Sequence, residues 1–173
     1  MIDANCAFDP FSARELARAA AGLDLAWFEE PLAANDPRAL ADLRRLGGIP
    51  IATGQMEGDR YRHRALIEAE AVDVLQPNVC YGGGFTEVQK VPHMAQAFNV
   101  RLDNGGGWPP HNPHAMAGLA HGGAVEFHLD RREIGETLFE DAPRPAGGTV
   151  RVPDRPGLGL VPRAEVLAAT RIL

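Results

Sequence analysis

Three residues with oxygen-bearing side chains follow short apolar runs at equal spacing along the chain. They are Asp3, Glu29 and Gln55, and successive members lie 26 residues apart. If each ends a strand of one parallel sheet, neighbouring strands about 4.8 Å apart would bring the three side chains together. Carboxylate and amide oxygens are hard donors that suit Mg²⁺. An alternative remains open, in which such acids cap helices or pair with arginines.

The elements that would position these residues follow from an alternation of apolar runs and amphipathic stretches. Strands are predicted at 25–29, 50–54, 72–76, 100–103 and 124–128, and helices at 12–22, 37–46, 59–69, 86–98, 112–121 and 163–170. Such alternation indicates parallel βαβ units. Polar residues at the strand ends fall at 3, 29, 55, 78, 104 and 126, at intervals of 22 to 26 residues. This regularity favours a (β/α) barrel, whose active site lies at that rim, over an open doubly wound sheet.

Local signals give the expected helix starts. Ser12 and Glu15 form a capping-box pattern. Asp36 followed by Pro37 supplies an N-cap and a first-turn proline. Pro92 lies inside the fourth predicted helix, so a kink or a late start is expected there.

Composition excludes several classes of protein. The chain has 173 residues, 45% hydrophobic and 23% charged, as in soluble globular domains. Its 17 basic and 23 acidic residues give a net charge of −6, which argues against nucleic acid or an anionic membrane as partner. No apolar run reaches the ~18 residues of a transmembrane helix, and the first residues do not form a secretory signal. The two cysteines, Cys6 and Cys80, are expected to be buried thiols in a reducing cytoplasm.

Motifs along most of the chain resemble one known family. The motifs are Asp3-Ala-Asn5, Trp27-Phe-Glu-Glu-Pro31, Ala52-Thr-Gly54, the stretch from Gln76 to Thr86, Glu126-Phe-His128 and the stretch from Asp154 to Gly159. Together they are similar to the barrel domain of the enolase superfamily, and more narrowly of its mandelate racemase/muconate lactonizing enzyme subgroup. The resemblance implies an α/β fold, a partial (β/α) TIM-type barrel of about six parallel βα units that lacks the first strands and the N-terminal capping domain. Residues 1–130 would form the barrel, and 131–173 a tail that packs on a capping domain or a partner subunit.

The resemblance also implies a chemistry for the polar strand ends. In this superfamily Mg²⁺ stabilises the enediolate that forms when a lysine or histidine base removes the α-proton of a carboxylate substrate. By this resemblance Asp3 and Glu29 would be metal ligands, and Glu30 a supporting acid. Substrate contacts are expected from polar and aromatic rim residues, namely Asn5, Asn78, Asn104 and Trp108.

The third metal ligand departs from the family pattern. An acid usually follows the Thr-Gly pair directly, and this chain has Gln55 there, with Glu57 two residues later. An amide oxygen can bind the ion, although the loss of one negative charge weakens the site. Glu57 shares a strand face with Gln55 and would replace it if the strand extends that far. Gln55 is the preferred prediction and Glu57 the substitute.

The family's catalytic bases are missing from their usual positions. In many members a histidine ends the strand that corresponds to 100–103 and pairs with an aspartate on the preceding strand, whereas this chain has Gly105 and Asn78 there. The family's lysine motif would lie before the start of this chain, and the single lysine, Lys90, falls within a helix on the barrel's outside. His111 and His114 follow this strand, and either could reach the site. His111, in the loop, is the predicted base, whereas His114 falls inside the predicted helix, where a packed or capping role is expected. Structural or solvent-facing roles are expected for His63, His93, His121 and His128.

Three functions remain compatible with these residues. The leading prediction is a Mg²⁺-dependent sugar-acid dehydratase, because the dyad of the racemases is missing while polar loop residues abound. A racemase, epimerase or cycloisomerase of the same subgroup is the first alternative. The second is a catalytically incompetent truncated barrel that serves as a structural or assembly subunit, since open sheet edges must be covered. The expected partners are a sugar or hydroxy acid and either a second copy or a missing N-terminal segment, without nucleic acid or membrane.

Overall fold

Five short parallel strands form the sheet, and their order in the sheet is their order in the chain. A computed structural model, which describes residues 1–107 and 110–170, places them at β1 (Ile2–Asp3), β2 (Phe28–Glu29), β3 (Ile51–Thr53), β4 (Val74–Leu75) and β5 (Arg101–Leu102). Each strand pairs in parallel with the next. Asn104 and Val125 form a further isolated parallel bridge. The predicted partial barrel is confirmed, with the sixth strand reduced to one bridge.

Helices follow most of the strands, and a small hairpin lies near the end of the chain. The helices are α1 (Pro10–Ala20), α2 (Pro37–Gly47), α3 (Arg60–Glu68), α4 (Phe85–Val88), α5 (Lys90–Ala97), α6 (His111–Ala117), α7 (Leu129–Leu138) and α8 (Ala164–Ala169). The hairpin pairs β6 (Pro145–Ala146) with β7 (Thr149–Val150). Among the described residues, no helix has the length and apolar character that crossing a membrane requires.

Aspartates cap the first three helices. Asp36 caps α2 as predicted, and Asp59 accepts hydrogen bonds from the first turn of α3. The prediction that Ser12 caps α1 was wrong. The cap is Asp9, whose side chain accepts from the backbone N–H groups of Phe11 and Ser12, and Pro10 then occupies the first helical position. An aspartate before a proline, the same signal as at α2, therefore outweighs the capping box.

Pro92 divides the predicted helix 86–98 into α4 and α5. The interruption lies at Gln89. A proline has no N–H to donate to the carbonyl of the residue four positions earlier, which is Val88 here. The predicted kink is confirmed, and its position follows from this missing hydrogen bond.

The main core lies between the sheet and the helices. Its fully buried strand residues are Phe28, Ile51, Leu75 and Leu102. They form one cluster with apolar residues of α1, α2, α3, α5 and α6, and burying each such side chain contributes about 1.5–3 kcal/mol. Trp27 belongs to a separate small cluster with Ala52 and Val74. Because successive strand residues alternate between faces, Glu29 shares the face of Trp27 and points into the barrel.

The chain beyond the sixth strand position returns toward α6. Helix α7 was not predicted, because its interior Gly135 weakens the helical signal. Gly135 is buried in the structure. The segment before α8 also contacts α6, since the Nε2 atom of His114 lies 2.9 Å from the carbonyl oxygen of Leu158. That residues 131–173 pack on a capping domain or a partner subunit stays a prediction.

Candidate active site

The three predicted metal ligands lie at the ends of adjacent strands. In the sheet register Asp3 pairs with Glu29, and Glu29 pairs with Ala52 in β3. Gln55 follows two residues after β3 ends at Thr53. The backbone N–H of Asn5 donates to Asp3 Oδ1 at 2.8 Å, which fixes one oxygen of that carboxylate. The fold therefore places two carboxylates and one amide at one edge of the sheet, as the spacing predicted.

Two oxygens of this set are buried without a hydrogen-bond donor among residues 1–107 and 110–170. They are Glu29 Oε1 and Gln55 Oε1. The other Glu29 oxygen accepts from Trp27 Nε1 at 2.8 Å. Burial raises the pKa of Glu29 by more than the neighbouring side chains of Trp27 and Gln76 lower it. A buried acceptor without a partner is unfavourable, so these residues fit a hard divalent cation that would bind both oxygens.

Glu30 sets the orientation of the Gln55 amide. Gln55 Nε2 donates to Glu30 Oε2 at 2.9 Å, and Glu30 is fully buried. Because the nitrogen is held by Glu30, the carbonyl oxygen of the same amide points away from Glu30 and is available to a cation. Asn35 Nδ2 donates to the second Glu30 oxygen at 3.4 Å. Glu30 thus holds Gln55 and Asn35, and its supporting role in catalysis stays a prediction.

Glu57 does not take the place of Gln55 in this arrangement. The substitution required β3 to continue to residue 57, and the strand ends at Thr53. Both oxygens of Glu57 already have partners: Oε2 accepts from Arg62 Nε at 2.8 Å, and Oε1 from Asn35 Nδ2 at 3.3 Å. Glu57 thus neutralises Arg62 and holds Asn35 next to Glu30.

Two substitutions distinguish the two ligand assignments. Glu57→Ala should lower the melting temperature through the lost partners of Arg62 and Asn35, a loss of about 1–3 kcal/mol, yet keep the full Mg²⁺-induced rise of the wild type. Gln55→Glu should lower the melting temperature of the metal-free protein, because it places a second carboxylate against Glu30. Mg²⁺ should then raise the melting temperature of Gln55→Glu by more than it raises that of the wild type. Thermal melts with Mg²⁺ and with EDTA measure both effects. A Mg²⁺ response lost only in Glu57→Ala would assign the ligand to Glu57.

A cavity of about 130 Å³ opens beside two of the three predicted ligands, Asp3 and Gln55. It is lined by Asp3, Asn5, Gln55, Met56, Tyr81, Gly106, Glu126, His128 and Arg131. Asn5, predicted to contact substrate, lies on this cavity. Three lining residues were not among the predicted site residues: Glu126, His128 and Arg131. The strand-end spacing had placed Glu126 at the rim of the barrel. His128 lies two residues later, and this spacing could have indicated that it belongs to the same site.

Glu126 connects the sixth strand position to the glycine loop 105–107. Its Oε2 accepts from the backbone N–H groups of Gly106 and of Gly107, the latter at 3.1 Å. Its Oε1 lies 2.5 Å from Nε2 of His128. Both oxygens of this carboxylate therefore have partners. His128, expected to be structural or solvent-facing, is partly exposed and lies on the cavity wall.

Asn78 and Asn104 hold this loop rather than face the cavity, which corrects their predicted contact with substrate. Asn78 Nδ2 donates to the carbonyl oxygens of Gly105 and Gly106 at 3.0 and 3.2 Å. Asn104 Nδ2 donates to the carbonyl oxygens of Pro77 and Gly105. Both side chains are buried. Their amides position the loop that carries the donors to Glu126.

His111, the predicted base, does not line the cavity. It begins α6, where its Nδ1 lies 3.8 Å from Cys80 Sγ and its ring 5.9 Å from that of Phe85. Burial, and then the nearby His114, lower the pKa of His111. Its prediction as the base is therefore corrected. The predicted substrate contact Trp108 lies outside the described residues.

His63 and His121 have structural contacts, whereas the two cysteines are less buried than expected. His63 is buried between the carbonyl oxygens of Asp59 and Gly54, and His121 contacts the carbonyl oxygen of Val100, as expected of structural residues. The prediction of two buried thiols was wrong. Cys6 is half-buried and Cys80 is exposed, because each lies in a loop after a strand.

One protein family matches this chain over most of its length. The model of the family described as enolase C-terminal domain-like matches residues 1–166. The match includes all five strands of the sheet and the residues that line the cavity.

Characterised relatives resemble the chain in sequence and in structure. It is 30% identical to D-galactarolactone cycloisomerase of Agrobacterium fabrum, over 99% of this chain and 49% of the relative. It is 33% identical to L-rhamnonate dehydratase of Saccharopolyspora erythraea, over 96% of this chain and 44% of the relative. The crystal structure of L-talarate dehydratase from Polaromonas sp. JS666, complexed with Mg and L-glucarate, superposes with a TM-score of 0.85 at 33% identity, over 99% of this chain and 47% of that one. The chain thus spans about half the length of these relatives.

Proposed function

Because this chain belongs to the enolase C-terminal domain-like family, we propose that it forms the Mg²⁺-binding part of an enzyme that removes the α-proton of a sugar acid and dehydrates it. The observation that carries this proposal is that one buried oxygen of Glu29 and one of Gln55 have no hydrogen-bond partner in the part of the chain that the structure describes. Asp3 pairs with Glu29 in the sheet register. Relatives whose names are those of sugar-acid dehydratases support the choice of reaction.

The residues of this chain have separate tasks in the proposed reaction. When bound, Mg²⁺ would supply positive charge that holds the substrate carboxylate and offsets the charge that develops as the α-proton leaves. Asp3 and Glu29 would hold the cation with two negative charges, and Gln55 with a neutral oxygen. Glu30 keeps the Gln55 amide turned by its hydrogen bond. Asn5, exposed on the cavity, would contact a substrate hydroxyl.

The functional test is a mass measurement on products. The purified protein, Mg²⁺ and a panel of aldonic and aldaric acids should give a product lighter by one water, and EDTA should abolish it. Asp3→Asn should abolish this product as well, because one of the two negatively charged ligands of the cation is lost. A product of unchanged mass would support the racemase or cycloisomerase alternative, which the Agrobacterium relative exemplifies. No turnover and no α-proton exchange with any acid would refute the proposal.

The predicted assembly remains part of this proposal. Within the described residues β1 pairs only with β2. The backbone groups of its other edge would pair with a second copy of the chain or with a preceding segment. The cytoplasmic location stays a prediction from the cysteine content.

A further inference from the structure

His128 lies where a proton acceptor would meet the substrate. It is the N-cap residue of α7 and lines the same cavity as Asp3 and Gln55. Its side chain is 40% exposed, so a molecule in the cavity can reach the imidazole. The other charged groups on the cavity wall are Asp3, Glu126 and Arg131. Of the histidines in the described chain, His128 is the one that lines this cavity.

Glu126 determines which nitrogen of His128 carries the proton. The Oε1 atom of Glu126 lies 2.5 Å from Nε2 of His128, and an ionised carboxylate can only accept a hydrogen bond. Nε2 of the neutral imidazole is therefore the protonated nitrogen, and Nδ1 keeps a free lone pair. Within 1–107 and 110–170, Nδ1 of His128 has no hydrogen-bond partner. A carboxylate that fixes the tautomer and leaves the other nitrogen as acceptor is the usual arrangement of a histidine base.

The glycine loop keeps this pair rigid. The backbone N–H groups of Gly106 and Gly107 donate to the Glu126 oxygen that does not contact His128. A Cβ atom at Gly107 would lie 2.6 Å from the backbone nitrogen of His128 and 2.8 Å from its Cδ2. The loop thus packs directly on His128, and glycine is required for that approach.

We propose that His128, oriented by Glu126, is the base that removes the α-proton, an assignment that rests on the proposed function. Glu126 and His128 lie at the sixth strand position. They would replace the histidine–aspartate pair of the family, whose positions in this chain hold Gly105 and Asn78. The Nδ1 lone pair bonds to the α-proton, and the electron pair of the broken C–H bond moves into the carboxylate group. The electron pair then returns from the enediolate to form the Cα–Cβ double bond, and the β C–O bond breaks as the imidazolium gives that proton to the hydroxyl, so that one water leaves.

The test compares three variants, His128→Asn, His111→Asn and His93→Asn. Their α-proton exchange with D₂O is measured with Mg²⁺ and a sugar acid that the wild type dehydrates. His128→Asn should lower kcat by about 10²–10⁴-fold with little change in KM, the usual contribution of a general base. His93→Asn, on the exposed side of α5, is the matched control and should behave as wild type. His128→Asn should keep the Mg²⁺-induced rise in melting temperature, which shows that fold and metal site are intact.

A second measurement does not depend on turnover. Nitrogen-15 NMR of the imidazoles in EDTA should show His128 protonated at Nε2 in the wild type and a mixture of tautomers in Glu126→Gln. A His128 protonated at Nδ1 in the wild type would overturn the assignment, and so would full exchange activity in His128→Asn or loss of activity confined to His111→Asn. A wild type with the expected tautomer but no exchange of any substrate proton would refute the proposed function, and the assignment with it.

Discussion

Glu29→Gln should stabilise the metal-free protein near pH 7 and weaken its binding of Mg²⁺. In the folded protein Glu29 is 6% exposed, and one of its oxygens has no donor among the described residues. Burial raises the pKa of Glu29, so the ionised carboxylate opposes folding. An amide keeps an acceptor for Trp27 Nε1 and removes the charge, which we expect to gain about 1–3 kcal/mol in free energy of unfolding. Urea unfolding in EDTA measures the difference.

The pH dependence of that difference identifies its cause. Because the pKa of Glu29 is raised in the folded state, the penalty is fully present above the folded-state pKa. It disappears as the pH falls below the ordinary pKa of a glutamate, so the two proteins should converge in acid. Glu15→Gln, at an exposed position of α1, is the control and should change stability by less than about 0.5 kcal/mol at every pH. A Glu29→Gln protein less stable than wild type at pH 7 in EDTA would contradict this account.

Gly106→Ala should disrupt the site far more than the same change at Gly148. The two glycines have the same left-handed backbone, with φ of 75° and 76°. A Cβ at Gly106 would lie 2.5 Å from Asn78 Nδ2 and 2.8 Å from Gln55 Oε1, whereas a Cβ at Gly148 meets nothing within 4 Å. Both variants bear the left-handed strain of about 1–2 kcal/mol. Gly106→Ala adds an overpacking cost of about 1–3 kcal/mol.

The functional effect should separate the two variants further. A displaced loop withdraws the N–H donors from Glu126 and presses on Gln55, so Gly106→Ala should lose most α-proton exchange and part of its Mg²⁺ affinity. Gly148→Ala, in the hairpin turn between β6 and β7, should retain both. Urea unfolding and exchange in D₂O measure the pair. Equal losses of stability and activity in the two variants would show that the close approach of the loop has no part in the site.

Spacing along the chain was enough to place the three predicted metal ligands at one edge of the sheet. Strand ends 26 residues apart in a parallel sheet must lie next to one another, and this placed Asp3, Glu29 and Gln55 before any contact was known. The same argument placed Glu126 at the sixth strand end. The start of α2 was predictable because Asp36 was the single residue expected to cap it. The prediction failed at α1, where Asp9 and Ser12 both offer a cap.

The contacts of the loop residues could not be predicted from the sequence, because the same residue types serve in structural contacts and in catalytic sites. Asn78 and Asn104 have amides suited to a sugar hydroxyl, but the carbonyl groups of the glycine loop use them. His111 and His128 both follow strand ends, and only the path of the chain after each strand decides which histidine lines the cavity. The orientation of the Gln55 amide depends on its 2.9 Å hydrogen bond to Glu30, a contact that residue spacing does not predict.

A calorimetric titration with Mg²⁺, run on the wild type and on Glu29→Gln, tests the metal site most directly. The wild type should bind one Mg²⁺ per chain. Loss of a partner of a metal ligand typically costs 10–100-fold in affinity, so loss of a charged ligand should weaken binding by at least about 100-fold. Equal affinity in the two proteins, or no binding by the wild type, would contradict the assignment of Asp3, Glu29 and Gln55 as the magnesium site.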